Sequence, residues 1–190
     1  VSNQTRVFDN VCWDVNESFG IACGGSSVSA GSPWATTDGV TYYQTATISS
    51  QIGGSPQQLY RIDSMGSMNG CIYHWQTNNL IWSNDRGITW QEGTNPLYNN
   101  NNGMYEVRKA ICFGKQMIIW GTGPSNNGYM TYKVNIPKGA NPTSMSYYEQ
   151  IATPITQNSG PEAYAMYPHR DAEGGYVYVI KGNQVSSYGV

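Results

Sequence analysis

Apolar and polar positions along the chain come in short runs, and a helical period is nearly absent. No window of about 11 residues keeps apolar side chains at i, i+3, i+4 and i+7 without a Gly, Pro or Asn cluster interrupting it. Short runs rich in Val, Ile, Thr, Tyr and Trp recur instead. They are Val11–Val15, Phe19–Cys23, Thr41–Ile48, Leu59–Ile62, Cys71–Trp75, Leu80–Ser83, Ala110–Phe113, Gln116–Trp120, Tyr129–Val134, Ser146–Ile151, Ala163–Tyr167 and Tyr176–Ile180. Turn-rich breaks separate them at Gly24–Pro33, Gly53–Pro56, Gly93–Gly103, Gly121–Gly128, Pro137–Pro142 and Asp171–Gly175. β-branched and aromatic residues suit a pleated, half-buried surface, while Gly and Asn supply left-handed turn positions. The pattern predicts an all-β fold of many short strands.

One segment repeats a shape. Ser83-Asn84-Asp85-Arg86-Gly87-Ile88-Thr89-Trp90 fits S-x-D-x-G-x-T-W at every defined position. Thr36-Thr37-Asp38-Gly39-Val40-Thr41-Tyr42 is a copy shortened by one residue, and the two aspartates lie 47 positions apart (85 minus 38). That spacing matches one repeat of about 40–50 residues. A weaker echo, Ser125–Tyr132, has Asn in place of Asp. The motif resembles the Asp box, or bacterial neuraminidase (BNR) repeat, of sialidase-like β-propellers. Its aspartate can accept hydrogen bonds from the N–H groups of its own turn. The glycine permits positive φ, and the tryptophan starts the next strand and packs under the turn. Ser83, Asp85, Gly87, Thr89 and Trp90 are therefore read as a folding device.

The resemblance implies a β-propeller of four-stranded antiparallel blades, either about four blades or part of a larger ring. As one domain over residues 1–190, the blades fall near 11–48, 59–92, 105–151 and 163–190. The last has three strands, and Thr5–Asp9 is expected to close it. Four blades is the small end of the usual range.

Composition narrows the partners. Charged residues are 12% of the chain, net charge is −2, and 15 of the aromatics are Tyr. Ten scattered Lys and Arg argue against nucleic acid. Low charge with many aromatics argues against disorder. No apolar run approaches a membrane helix, so no membrane insertion is expected. The chain starts with Val and has no basic n-region before an apolar stretch, as expected of a processed product or part of something longer. The four cysteines, Cys12, Cys23, Cys71 and Cys112, lack C-x-x-C spacing. They allow three connectivities, with Cys12 and Cys23 able to face each other across a hairpin, or can remain buried thiols. Two sequons, at Asn3 and Asn16, carry little weight in so Asn-rich a chain.

In the resembled family the Asp box lies on the turn between the third and fourth strands of a blade. Ligands bind at the opposite face, among loops between strands two and three and between blades. Mapped here, that face receives Gly24–Pro33 with Trp34, Gln76–Asn79 with Trp75, Gly121–Asn127 with Trp120, Ser50–Gln57, Gly93–Gly103 and Ala152–Glu162. Trp34, Trp75, Asn78, Tyr98, Asn99, Trp120 and Asn126 are the candidate ligand residues. Aromatic rings stack on a pyranose and amides exchange hydrogen bonds with hydroxyls, the mix of rigid and adaptable groups that paratopes also use. Solvation alone also makes loops polar. Trp13, Trp82 and Trp90 lie in strand-like runs and are expected in the core.

Catalytic patterns are weak. A sialidase needs three converging arginines; Arg86 sits inside the motif, and the other four lack the family's surroundings. A two-carboxylate glycosidase needs its acids roughly 5–10 Å apart, and nothing in the sequence pairs Asp63, Glu106 and Glu162. His74 and His169 are too few for a multi-histidine metal site. His169-Arg170-Asp171 lacks a kinase's Gly-rich loop, and no P-loop, dinucleotide fingerprint or nucleophile elbow appears. No cofactor, metal or catalytic residue is expected. The expected role is an adhesin- or lectin-like domain that binds a glycan or cell-surface receptor. It would be extracellular or on a virion surface, for instance in a viral or phage tail, beside other subunits. The rival expectations are a fragment of a secreted polysaccharide hydrolase and a structural scaffold.

Overall fold

The computed structural model describes residues 10–14, 18–23, 33–46, 65–76, 78–98, 103–104, 106–113, 116–123, 129–155, 163–170, 175–181 and 184–189. At 10, 11, 14, 23, 106, 111–113, 116, 129, 152–155 and from 163 onward it describes the backbone alone. The described strands form four antiparallel meanders in chain order. The first holds β1 (Asn10–Asp14), β2 (Phe19–Cys23), β3 (Trp34–Thr36) and β4 (Tyr43–Gln44). The second holds β5 (Met65–Met68), β6 (Cys71–Trp75), β7 (Asn79–Ser83) and β8 (Gln91–Thr94). The third holds β9 (Glu106–Phe113), β10 (Gln116–Thr122), β11 (Tyr129–Val134) and β12 (Tyr148–Ile155). The last holds three strands, β13 (Ala163–Arg170), β14 (Gly175–Lys181) and β15 (Gln184–Gly189). First strands converge: β1 packs on β5 and β9, β5 on β9, and β9 on β13.

The second sheet is covered on both faces, which explains its sequence. Ile72, Ile81 and Trp90 turn toward Cys12, Phe19, Ile21 and Ala35 of the first sheet. Tyr73, Trp75, Leu80 and Trp82 turn toward Val107, Met117, Ile119, Met130 and Tyr132 of the third. All five residues of β6 are buried, so it reads as a continuous apolar run where a half-buried strand would alternate. Full burial of each large side chain contributes about 1.5–3 kcal/mol.

The differences from the predicted strands follow from packing. β5 was not legible because Met-Gly-Ser-Met contains no β-branched residue; burial of all four positions makes it a strand. Gly66 leaves room for the Met117 thioether. β8, expected to start at Trp90 but with its last two residues read as a turn, is a polar edge strand, and its Gly93 lies under Trp82 and Thr143. β3 and β15 fall in no apolar run, although a fourth strand in 11–48 and a third in 163–190 were expected; β3 is only three residues long. Ser146 and Tyr147 belong to a 3-10 turn, Met145–Tyr147, not to a strand. The Ser144 hydroxyl accepts from the Ser146 N–H, and the Tyr148 N–H returns to the Met145 carbonyl. Leu59–Ile62 and Thr5–Asp9 lie outside the described residues.

Cys12 is disulfide-bonded to a partner outside the described side chains. The β1–β2 register sets Cys12 opposite Ile21 and Cys23 opposite Asn10, so Cys12 and Cys23 are not a directly facing pair. Cys71 is free and buried.

Candidate functional site

An antiparallel meander puts the turns after its first and third strands at one end and the turn after its second at the other. The two ends are built differently. At the first, Asp85 organises the β7–β8 turn. Its Oδ1 accepts from the Ser83 hydroxyl (2.8 Å), the Ile88 N–H (3.1 Å) and the Thr89 N–H (2.8 Å), and its Oδ2 accepts from the Thr89 hydroxyl (2.6 Å). The Gly87 N–H donates to Ser83 Oγ at 2.8 Å. Asp38 repeats the arrangement between β3 and β4. It accepts from the Thr36 hydroxyl (3.0 Å) and from the N–H groups of Val40 (2.8 Å) and Thr41 (2.7 Å).

These donors set the charge. The Thr41 and Val40 N–H groups and the Thr36 hydroxyl hold the Asp38 carboxyl down at about 2. At Asp85 partial burial pushes upward, but the Thr89, Ser83 and Ile88 donors outweigh it and keep the carboxyl below its ordinary range. Both carboxylates are held in the ionised form by donors of their own turns, as a folding role requires. Arg86 packs over the Phe19 ring, 5.4 Å from its centroid, which ties this turn to the first sheet.

At the other end of the second sheet a single amide joins two loops. The Gln76 N–H donates to the Asn79 carbonyl (2.8 Å) and closes the β6–β7 turn. Asn95, buried just after β8, donates its N–H to the Asn78 carbonyl and its Nδ2 to the Gln76 carbonyl, both at 2.8 Å. Its Oδ1 accepts from the Leu97 N–H (3.1 Å), and its carbonyl accepts from the Tyr98 N–H (3.2 Å). Buried amides are retained where such bonds satisfy them. The result is a fixed rim that presents an exposed Asn78 and a half-buried Tyr98. Asn79 Nδ2 donates to Glu92 Oε1 (2.5 Å) at its edge. Asn95 was not singled out from sequence; its signal was Asn95-Pro96, a turn-starting pair inside a turn-rich break.

The other predicted site residues scatter. Trp75 and Trp120 are 2% and 3% exposed, so neither presents a ring to a ligand; Trp75 lies against Tyr73, ring centroids 5.9 Å apart. Their strands are covered on both faces, which loop-adjacent position did not reveal. Trp34 is half-buried at the start of β3. Next to it, the Pro33 carbonyl accepts from the Thr45 N–H, and the Ala46 N–H donates to Gly87 in the Asp85 turn. The structure therefore brings Asn78 and Tyr98 together and ties the chain beside Trp34 to the opposite end of the second sheet. Asn99 and Asn126 lie outside the described residues, as do Asp63 and Glu162. Glu106 opens β9, described in backbone only. Trp82 and Trp90 are buried as expected, and Trp13 is half-buried.

His74 is buried in the second sheet. Among the described residues no group of three or more His, Cys, Asp or Glu is placed to hold a metal ion. Burial pushes the Tyr73, Tyr132 and Tyr148 hydroxyls up, so these phenols stay neutral. No described helix is long and apolar enough to cross a membrane. No protein-family model and no curated protein matches the chain.

Proposed function

We propose that the chain is a non-enzymatic attachment domain that binds a glycan or a cell-surface receptor, built as a β-propeller whose blades are the meanders. The observation that carries the binding reading is the Asn95 clamp. It immobilises two loops so that an exposed amide and a tyrosine share one rim, which lowers the ordering cost of binding. Successive meanders with converging first strands support the propeller. So does the position of both aspartate turns between the third and fourth strands of a sheet, where an Asp box belongs. The Cys12 disulfide supports an extracellular or virion-surface setting, because such bonds persist in oxidising compartments. Host attachment as a subunit of a viral or phage tail is the corresponding biological role.

The test is a glycan-array screen of the purified chain beside Tyr98→Ala. Binding to a defined sugar, lost in a variant with unchanged melting, supports the reading. A folded chain that binds no sugar and no cell surface overturns it.

A scaffold role is the second reading, favoured by one observation. Val40 and Ile88, in corresponding places of the two aspartate turns, are 83% and 68% exposed. Large exposed apolar side chains suit contact with another subunit. Loss of assembly in Val40→Ser/Ile88→Ser, with sugar binding intact, would place the interface at that end.

A further inference from the structure

The distribution of charge sharpens the ligand class, and the inference rests on the glycan-binding reading above. The segments that follow the second strand of the first three sheets are residues 24–33, 76–78 and 123–128. None contains a Lys, Arg, Asp or Glu, and neither does the stretch 95–105 after β8. The sheet-to-sheet segments 45–64 and 156–162 hold Arg61, Asp63 and Glu162. Lys181 ends β14, beside the corresponding turn of the fourth sheet, and Arg170 ends β13. The other described cations lie elsewhere. Arg86 covers Phe19, Arg108 and Lys109 lie within β9, and Lys133 and Lys138 flank the end of β11.

At the rim itself the Asn95 amide is turned inward onto Gln76 and its Oδ1 onto Leu97. The charge described beside it is a carboxylate, Glu92, bonded to Asn79. An anionic sugar is held by charge-assisted donors, most effectively by a guanidinium fork. A hydroxyl-rich sugar needs groups that donate and accept in turn, as a primary amide does. Asn78 and Tyr98 supply the second chemistry.

We infer that the Asn78–Tyr98 rim takes neutral, hydroxyl-rich glycans and rejects forms of the same glycans that carry a carboxylate or sulfate. Among the described residues the charge beside a ligand anion settling there is the Glu92 carboxylate, held on Asn79 next to Asn78, and like charges repel within the roughly 8 Å screening length of physiological salt. Removing an anion from water without a partner is unfavourable. The discrimination is set at about tenfold or more, the effect of a like-charge contact worth 1.4 kcal/mol.

The experiment compares one neutral oligosaccharide with its sialylated and sulfated derivatives by titration against the whole chain. It is run at about 50 and about 500 mM salt, with wild type and Glu92→Gln. The expected result is neutral binding that barely changes with salt, derivatives weaker by about tenfold, and a gap that narrows in Glu92→Gln, which keeps the acceptor oxygen for Asn79. Tighter binding of the charged derivatives, weakening as salt rises, overturns the inference and leaves the attachment reading standing. A folded chain that binds none of the three removes the attachment reading and the inference with it.

Discussion

The two aspartate turns hold nearly the same hydrogen bonds and do different things. In both, a carboxylate gathers a hydroxyl two residues before it and two backbone N–H groups after it, at the second and third positions for Asp38 and the third and fourth for Asp85. The Asp85 turn is pressed into its neighbour. Gly87 faces the Thr45 side chain, Arg86 covers Phe19, and the buried Trp90 donates its indole N–H to the Ala46 carbonyl at 2.8 Å. The Asp38 turn stands in solvent: Gly39 has nothing nearer than the Trp13 ring, at 3.9 Å from its would-be Cβ. The same motif is a clasp between sheets in one place and a self-contained hairpin in the other. The extra residue and the tryptophan, not the aspartate, make the difference.

Substitutions at matched positions test that contrast. The largest effect belongs to Trp90→Ala, which removes a buried ring and an inter-sheet hydrogen bond. It should cost about 3–5 kcal/mol in urea unfolding, against about 1 kcal/mol for the half-buried Tyr42→Ala. Equal losses at the two sites would erase the distinction. Gly87→Ala comes next. Its φ of 88° is strained for Ala and the new Cβ would press on Thr45, for a loss of about 3 kcal/mol. Gly39→Ala, at φ 74° but in open space, should lose only about 1 kcal/mol.

Asp85→Ala should lower stability by about 1–2 kcal/mol, as loss of a comparable side-chain cap does. The Asp38→Ala midpoint should move in the same direction and by less. The smallest effect is seen in acid. Asp38 falls from 3.8 to about 2 on folding, so its ionised form favours the folded state. That contribution is fully present above the unfolded value of 3.8 and is lost as pH falls through about 2. The gap between wild type and Asp38→Asn should therefore be constant at neutral pH and close across that interval. A gap that widens on acidification would mean the carboxylate is not held as its donors suggest.

Legibility in the sequence followed burial and locality. β6 and β11 were readable to the residue because β-branched and aromatic side chains dominate them, and β2 because its apolar run is bounded by turn residues. The Asp85 turn was readable because every bond to its carboxylate lies within seven residues, Ser83 to Thr89. β5 packs against Met117, distant in the chain, and local composition holds no trace of it; the start of β8 was legible from Trp90, but its end, where Gly93 meets Thr143, looked like a turn. The rim was half legible. Asn78 and Tyr98 were named as candidates from loop chemistry, but the Asn95 amide that ties both loops spans 19 positions to Gln76. Trp75 and Trp120 were misplaced for a related reason: a tryptophan beside a loop looks available until the sheet covering it is seen.

The second sheet also contains its own reporter. Cys71 is a free thiol with 0% exposure, wedged between two covered faces, while Cys12 is held in a disulfide. A thiol-specific reagent can reach Cys71 only when the sheet opens. The rate of alkylation at Cys71 itself, read by peptide mass, therefore follows opening of the sheet with no denaturant. The clasp around Gly87 and Trp90 could then be weighed one variant at a time by how often it lets the middle of the molecule breathe.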